Sequence, residues 1–206
     1  GVLVGLWSSF RAPGVVRWSL ALLLVVAAVG LTRRSLPHYR TSETVFRHAL
    51  EVEPDNFLAH TNLGTALEQR GALDEAHGHY EEAARLNPTW PTALTNLGNA
   101  RARQGRLQEA EGLYRRALER EPTNGLAHYN LALALVMQGR APEALTHYAE
   151  AVRLRPGDAM AALGYGATLL GVGRRDEGLA ELRRSVALDP TSQEARARLQ
   201  QAEQGN

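Results

Sequence analysis

The sequence predicts an all-α solenoid, a right-handed superhelix of stacked helix pairs preceded by a membrane-spanning helix. Three observations predict it. Pro54, Pro88, Pro122, Pro156 and Pro190 recur every 34 residues, and a fixed period of that size marks one supersecondary unit being stacked. Gly71, Gly105, Gly139 and Gly173 keep the same period, as do Tyr80, Tyr114 and Tyr148, with Leu182 in the fourth copy. Apolar residues inside each copy return at steps of three and four, the spacing of one helical face.

The first 36 residues read as a membrane segment. An apolar stretch, GVLVGLWSSF, and a turn-like RAPG lead into residues 15–31, whose only charge is Arg17. A span needs roughly 17–25 apolar residues, so 15–31 sits at the short limit. Arg17 lies near the end, where it can snorkel, and Trp18 and Arg33-Arg34 suit the two interfaces. Two other readings stay open: a signal peptide with Arg11 and Arg17 as its basic flank and a small-residue exit at Ala28-Val29-Gly30, or a buried soluble helix. The chain starts on Gly rather than Met, so a fragment of a longer protein is expected. Arg33, Arg34 and Arg40 against Arg11 and Arg17 lean toward a cytosolic array.

Residues 37–56 form a junction. In TSETVFRHALEVEP, Phe46 and Ala49 have the spacing of the second helix of a repeat whose first helix is absent or replaced by the membrane segment; Thr41 or Ser42 can cap it. Four full copies follow at 57–90, 91–124, 125–158 and 159–192. Their helix pairs are expected at 57–70/73–86, 91–104/107–120, 125–138/141–154 and 159–172/175–188. The first helix carries Leu63, Ala66 and Leu67 on one face and ends at the periodic glycine, which supplies a left-handed residue. The second opens near Asp74 or Gln108, or on Pro142, which suits a first turn. The periodic proline ends it, because the ring disfavours helix at the preceding residue. Small residues at Gly64, Gly98, Ala132, Ala76, Ala110 and Ala144 let helix axes approach. One copy cannot bury its apolar face alone, whereas three or more stacked copies can. Glycine crowds into the fourth copy, at Gly164, Gly166, Gly171, Gly173 and Gly178; each costs roughly 0.5–1 kcal/mol against Ala inside a helix, so this copy should fray first. The final segment, 193–206, is a polar solvating helix.

These columns, as in AHTNLGTALEQRGALDEAHGHYEEAARLNP, resemble the tetratricopeptide repeat. The match departs at the first aromatic, where His60, Leu94, His128 and Ala162 stand instead of Trp. A second resemblance covers about residues 15–65: HYRTSETVFRHALEVEPDNFLAHTNLG is similar to the junction of polytopic O-mannosyltransferase-like membrane proteins with C-terminal tetratricopeptide repeats. It implies a glycosyltransferase region upstream of Gly1 and repeats on the extracytoplasmic side, against the arginine count.

Composition excludes much chemistry. All 23 basic residues are arginine, and there is no lysine or cysteine. That removes a P-loop lysine, a Schiff base, a thiol nucleophile, cysteine-ligated zinc and disulfides. A net charge of +1 gives no global pull toward nucleic acid. Seven histidines invite a metal, but His77 and His79 point apart on a helix, and His79 with His147, like His60 with His128, are repeat-equivalent, which favours packing. GYGATLLGVG follows no strand and so lacks the context of a nucleotide loop. Arg101, Arg103, Arg106, Arg115, Arg116 and Arg120 form the densest positive cluster, interleaved with Glu109, Glu111, Glu119 and Glu121. It reads as a solvated face, or as a dock for an acidic segment.

The functional signal lies on the first helices. Asn62, Asn96 and Asn130 recur at the period, followed one turn later by Thr65, Asn99 and Leu133. Leu58, Asn62, Thr65 and Gln69 share a stripe away from the core, the concave wall. Amides there can donate to and accept from an extended backbone, the arrangement for which the resembling repeats of O-linked N-acetylglucosamine transferase are known; equally, they can bridge neighbouring helices. The expected groove is polar in its first half (Thr61, Asn62, Thr65, Gln69, Thr95, Asn96, Asn99, Arg103). Its second half is apolar (Leu133, Val136, Met137, Met160, Leu163). The expectation is a non-enzymatic, membrane-tethered scaffold for a protein or peptide segment, without catalytic residues, cofactor, metal or nucleic acid; the alternative is the repeat-bearing tail of a membrane glycosyltransferase.

Overall fold

The computed structural model of the chain describes residues 41–204. The expected membrane segment, with its span at 15–31, lies outside the described residues, and so does the start of the junction. Among the described residues no helix is long and apolar enough to cross a membrane.

Ten helices make up the described residues: α1 (Ser42–Val52), α2 (Phe57–Gln69), α3 (Leu73–Leu86), α4 (Pro91–Arg103), α5 (Leu107–Arg120), α6 (Gly125–Met137), α7 (Ala141–Leu154), α8 (Ala159–Gly171), α9 (Arg175–Leu188) and α10 (Gln193–Gln204). They stack as successive pairs, each in contact with the next. Local chemistry sets the ends. Gly71, Gly105, Gly139 and Gly173 have φ of 84°, 75°, 76° and 84°, and each closes its helix with two crossed bonds: Gly71 N–H donates to the Glu68 carbonyl at 2.9 Å and Ala72 N–H to the Leu67 carbonyl at 2.9 Å. This is the glycine-terminated helix end that satisfies orphan carbonyls. At the other end Asn56, Asn124 and Asp158 accept from backbone N–H groups of α2, α6 and α8. In the second copy Trp90 occupies that position and Pro91 opens α4 instead.

Tyrosine against glycine sets the pair packing. Tyr80, Tyr114 and Tyr148 are almost fully buried. A Cβ added to Gly64 would lie 2.6 Å from Tyr80 Cε1. Each ring also packs toward the following copy, Tyr80 with Leu97 and Ala100, Tyr114 with Leu131 and Ala134. The glycines of the fourth copy are partly explained by the same need for space. A Cβ on Gly166 would meet the Gly178 carbonyl at 2.9 Å, and one on Gly164 would meet Tyr148 Cε1 at 2.8 Å. Of the glycines that crowd this copy, only Gly171 stands in open space without a left-handed backbone.

The ends of the stack differ. Phe46 and Leu50 of α1 cover the apolar end of the first pair, yet no residue of α1 is buried. At the far end Ala195, fully buried, with Leu199 and Ala202, seals Leu163 and Leu182.

Candidate functional site

The first helices of successive copies, α2, α4, α6 and α8, touch one another in sequence, and α8 touches α10; the second helices do not meet. Curvature follows, with the first helices on the inner wall.

On that wall the first half is polar. Asn62 and Gln69 are exposed, and Thr65, Asn96 and Asn99 half-buried; the side chains of Asn62 and Asn96 have no hydrogen-bond partner among the described residues. Asn99 is fixed: its Oδ1 accepts from Tyr114 Oη at 2.8 Å and from Asn130 Nδ2 at 2.8 Å. In this arrangement the two N–H groups of Asn99 and the Asn130 oxygen remain for a ligand. Thr65 donates to the Thr61 carbonyl at 3.1 Å. Arg103 reaches across from α4 to α2, donating to Glu68 at 2.6 Å, while Tyr80 Oη donates to the other Glu68 oxygen at 2.7 Å.

Thr61 and Thr95, expected in the groove, are buried instead. They are 4% and 3% exposed and return their hydroxyls to the Phe57 and Pro91 carbonyls at 2.8 Å, a bond a threonine makes readily one turn back in a helix. The third copy places Tyr129 in that column, and its half-buried ring does line the wall.

The second half is apolar. Met137 and Met160 are 58% and 54% exposed, and Leu133 is 40% exposed. A recess of about 270 Å³ between α4 and α6 is lined by Asn99, Arg103, Tyr114, Asn130, Leu133 and Met137. Beyond it a second recess, of about 340 Å³, is lined by Tyr129, Leu133, Val136, Met160, Leu163 and Arg198 among others. Leu133 borders both. Glu68, Tyr129 and the α10 pair Glu194 and Arg198 were not anticipated; Glu68 lay one step along the Asn62–Thr65 stripe, whereas nothing in the pattern brings α10 to the wall.

The other constellations are engaged within the fold. Arg101 is paired with Glu81 and Glu109, Arg106 with Glu109 and Arg115 with Glu111, which neutralises much of the positive cluster. His60 and His79 face each other, Nδ1 to Nδ1 at 2.9 Å, as do His128 and His147 at 3.1 Å. Burial first, then the neighbouring histidine, holds His79 and His147 below the usual imidazole range. Residues 164–173, the glycine-rich stretch, lie in α8 and the turn after it. Among the described residues no group of three or more His, Cys, Asp or Glu could hold a metal ion.

Stacked helix pairs with a graded inner wall define a repeat scaffold. Family models for the tetratricopeptide repeat match residues 45–78, 95–159 and 135–203, and one for the TPR repeat matches 64–105. The chain is a tetratricopeptide-repeat protein. YrrB, described as a TPR protein with an unusual peptide-binding site, superposes with a TM-score of 0.65 at 25% identity, over 76% of this chain and 81% of that one. MamA gives 0.64 at 21% identity, over 77% and 93%. A thermophilic TPR protein of Thermus thermophilus, TTC0263, gives 0.63 at 21% identity, over 85% and 96%. The last two show the fold alone. No curated protein matches the sequence.

Proposed function

We propose that this chain is a scaffold that holds one extended protein segment along its inner wall, polar where it meets α2 and α4 and apolar where it meets α6 and α8. The carrying observation is the Asn99–Asn130 bridge. It orients two N–H donors and one acceptor at the edge of the recess that Leu133 and Met137 line, so a peptide group and the side chain beside it can be read together. YrrB, with its peptide-binding site, supports the reading as a structural neighbour. The wall's charges are paired, Arg103 with Glu68 and Arg198 with Glu194, which favours an uncharged segment.

A random peptide library panned on the chain tests this. Enriched sequences should carry polar residues at one end and apolar ones at the other. Asn62→Ala, Asn96→Ala and Asn130→Ala together should weaken the selected peptides at least about tenfold, since each neutral hydrogen bond contributes about 0.5–1.5 kcal/mol. Enrichment of acidic peptides that ignore the triple variant would move the site to the arginine-rich outer face.

Membrane tethering through residues 15–31 belongs to the same proposal and rests on their apolar composition. The full chain should stay with membranes after alkaline carbonate washing, and a chain starting at Arg40 should not. The junction motif at 38–64 favours one further reading: the repeats are the extracytoplasmic tail of a membrane glycosyltransferase. Further apolar spans encoded upstream of Gly1, with protease access to the repeats on intact cells, would support it; a start codon close to Gly1 would end it.

A further inference from the structure

The carbonyls of four of the periodic prolines, at the joints that precede the four full copies, are bound in two alternating ways. His60 Nε2 donates to the Pro54 carbonyl at 2.9 Å and His128 Nε2 to Pro122 at 3.0 Å. Arg116 donates instead to Pro88 at 2.9 Å and Arg184 to Pro156 at 2.8 Å. The alternation extends through the surrounding residues. Leu58-Ala59-His60, His79-Tyr80, Glu82 and Arg85 recur two periods later as Leu126-Ala127-His128, His147-Tyr148, Glu150 and Arg153. Between them, the second copy places Leu94 and Leu113 in the two histidine columns.

We propose that the array consists of two-copy modules, 57–122 and 125–190, and that the histidine pair in the first copy of each module is a proton-sensitive contact at which acid loosens the two helices of that copy, and with them the proline turn that His60 or His128 holds, while the arginine latches stay closed. A carbonyl only accepts, so Nε2 of His60 and of His128 must carry hydrogen. Their Nδ1 atoms then accept from Nδ1–H of His79 and of His147. An added proton fits on the outer nitrogen of His79 or His147. A second would set two N–H groups face to face across about 3 Å and place two charges there, so the rings must part to take it. The unfolded chain takes up both protons below the ordinary histidine value of about 6.5, so acid favours opening. Guanidinium keeps its proton throughout this range.

The surrounding charges do not remove the effect. His79 is faced by Glu75 on its own helix and by His60 and Arg47 from α2 and α1; Glu82 lies near His60. His147 is faced by Glu143 on its own helix, by Arg115 and Glu111 from α5, and by His128; Glu150 lies near His128, and Glu119 of α5 and Arg153 of α7 line the recess that both rings border. Arginine opposes protonation in both places and glutamate favours it. The Pro122 joint is also where Asn99 of α4 meets Asn130 of α6. α6 carries both His128 and Asn130, so loosening α6 from α7 disturbs the Asn99–Asn130 bond at the boundary between the polar and apolar halves, whatever the wall binds.

Hydrogen exchange on the full chain tests this, comparing the amides just after Pro122 with those just after Pro88 from about pH 7.5 to about pH 5, corrected for intrinsic rates. Opening at Pro122 should rise about tenfold for each pH unit below about 6 and stay level at Pro88. Equal change at both joints, or none at either, overturns the proposal. His128→Leu with His147→Leu and Glu150→Arg copies Leu94, Leu113 and Arg116 of the second copy and should flatten the response at Pro122. His128→Gln keeps a donor for the carbonyl without a titrating ring, and decides the matter if the triple variant does not fold. It should reduce the pH dependence at Pro122, and an undiminished dependence overturns the proposal.

Discussion

Gly98 lies against the ring of Tyr114 so closely that an added Cβ would stand 2.5 Å from Cε1 and 2.9 Å from Cδ1. The ring is 2% exposed and held at its far end by the Asn99 bond, so it has little freedom to retreat. The third copy shows how the constraint is relaxed. There Ala132 takes the glycine column, while Gly164 takes the column of Asn130 and leaves room for Tyr148 on its other side.

Gly98→Ala should therefore destabilise the chain by about 1–3 kcal/mol, the usual cost of overpacking. The penalty should shrink in an Asn130→Gly background, which reproduces the Ala132–Gly164 combination. A double-mutant cycle by urea unfolding measures the coupling. Additive costs would mean that the third copy accommodates Ala132 by some other displacement.

Alkaline titration should report the same packing. Burial is the largest influence on Tyr80, Tyr114 and Tyr148 and raises all three phenols above the ordinary value of about 10. The neutral phenol is favoured in the fold, so this contribution is intact below about pH 10 and is lost as pH rises through and beyond the unfolded value. Ultraviolet titration should show these three ionising only together with loss of helical circular dichroism. Smooth titration of every tyrosine near pH 10 with helicity retained would contradict the packing.

Asp158 tests the caps, since its Oδ1 accepts from both Met160 and Ala161 N–H, at 3.0 and 3.1 Å, while its Oδ2 pairs with Arg155 at 3.0 Å. Asp158→Ala should cost about 1 kcal/mol, within the usual 0.5–2. Trp90, in the equivalent column, makes no such bond and packs edge-on against Phe57 with centroids 5.5 Å apart. Trp90→Ala should thus destabilise through lost contact, with little change in exchange at the first turn of α4. Asp158→Ala should speed exchange at the first turn of α8.

Helix boundaries were legible because each is written in one residue: the periodic glycine needs positive φ, and the periodic proline cannot continue a helix. The inner wall was less legible. Asn62 and Thr61 are adjacent, and a stripe drawn by three- and four-residue steps does not resolve which of them crosses from wall to core. The structure decides by burying Thr61 and leaving Asn62 exposed. The Asn99–Asn130 bridge and the two histidine pairs depend on contacts 19–31 residues apart in sequence, which repeat-equivalence hints at but spacing along one helix cannot show.

Leu131 and Leu133 separate wall from core most sharply, two residues apart on α6. Leu131 is fully buried beside Tyr114 and Tyr148, and Leu131→Ala should cost about 2–5 kcal/mol, because the stacked rings leave little room for collapse into the cavity. Leu133 is 40% exposed and borders both recesses. Leu133→Ala removes far less buried surface than Leu131→Ala and adds helix propensity, so its melting temperature should stay much nearer that of the parent chain. Binding should respond the other way: peptides selected on the parent chain should lose affinity with Leu133→Ala and fail to bind Leu133→Asp, which sets a carboxylate between the two recesses. If Leu133→Asp folds and binds those peptides as well as the parent chain does, the apolar half of the wall is not where the segment lies.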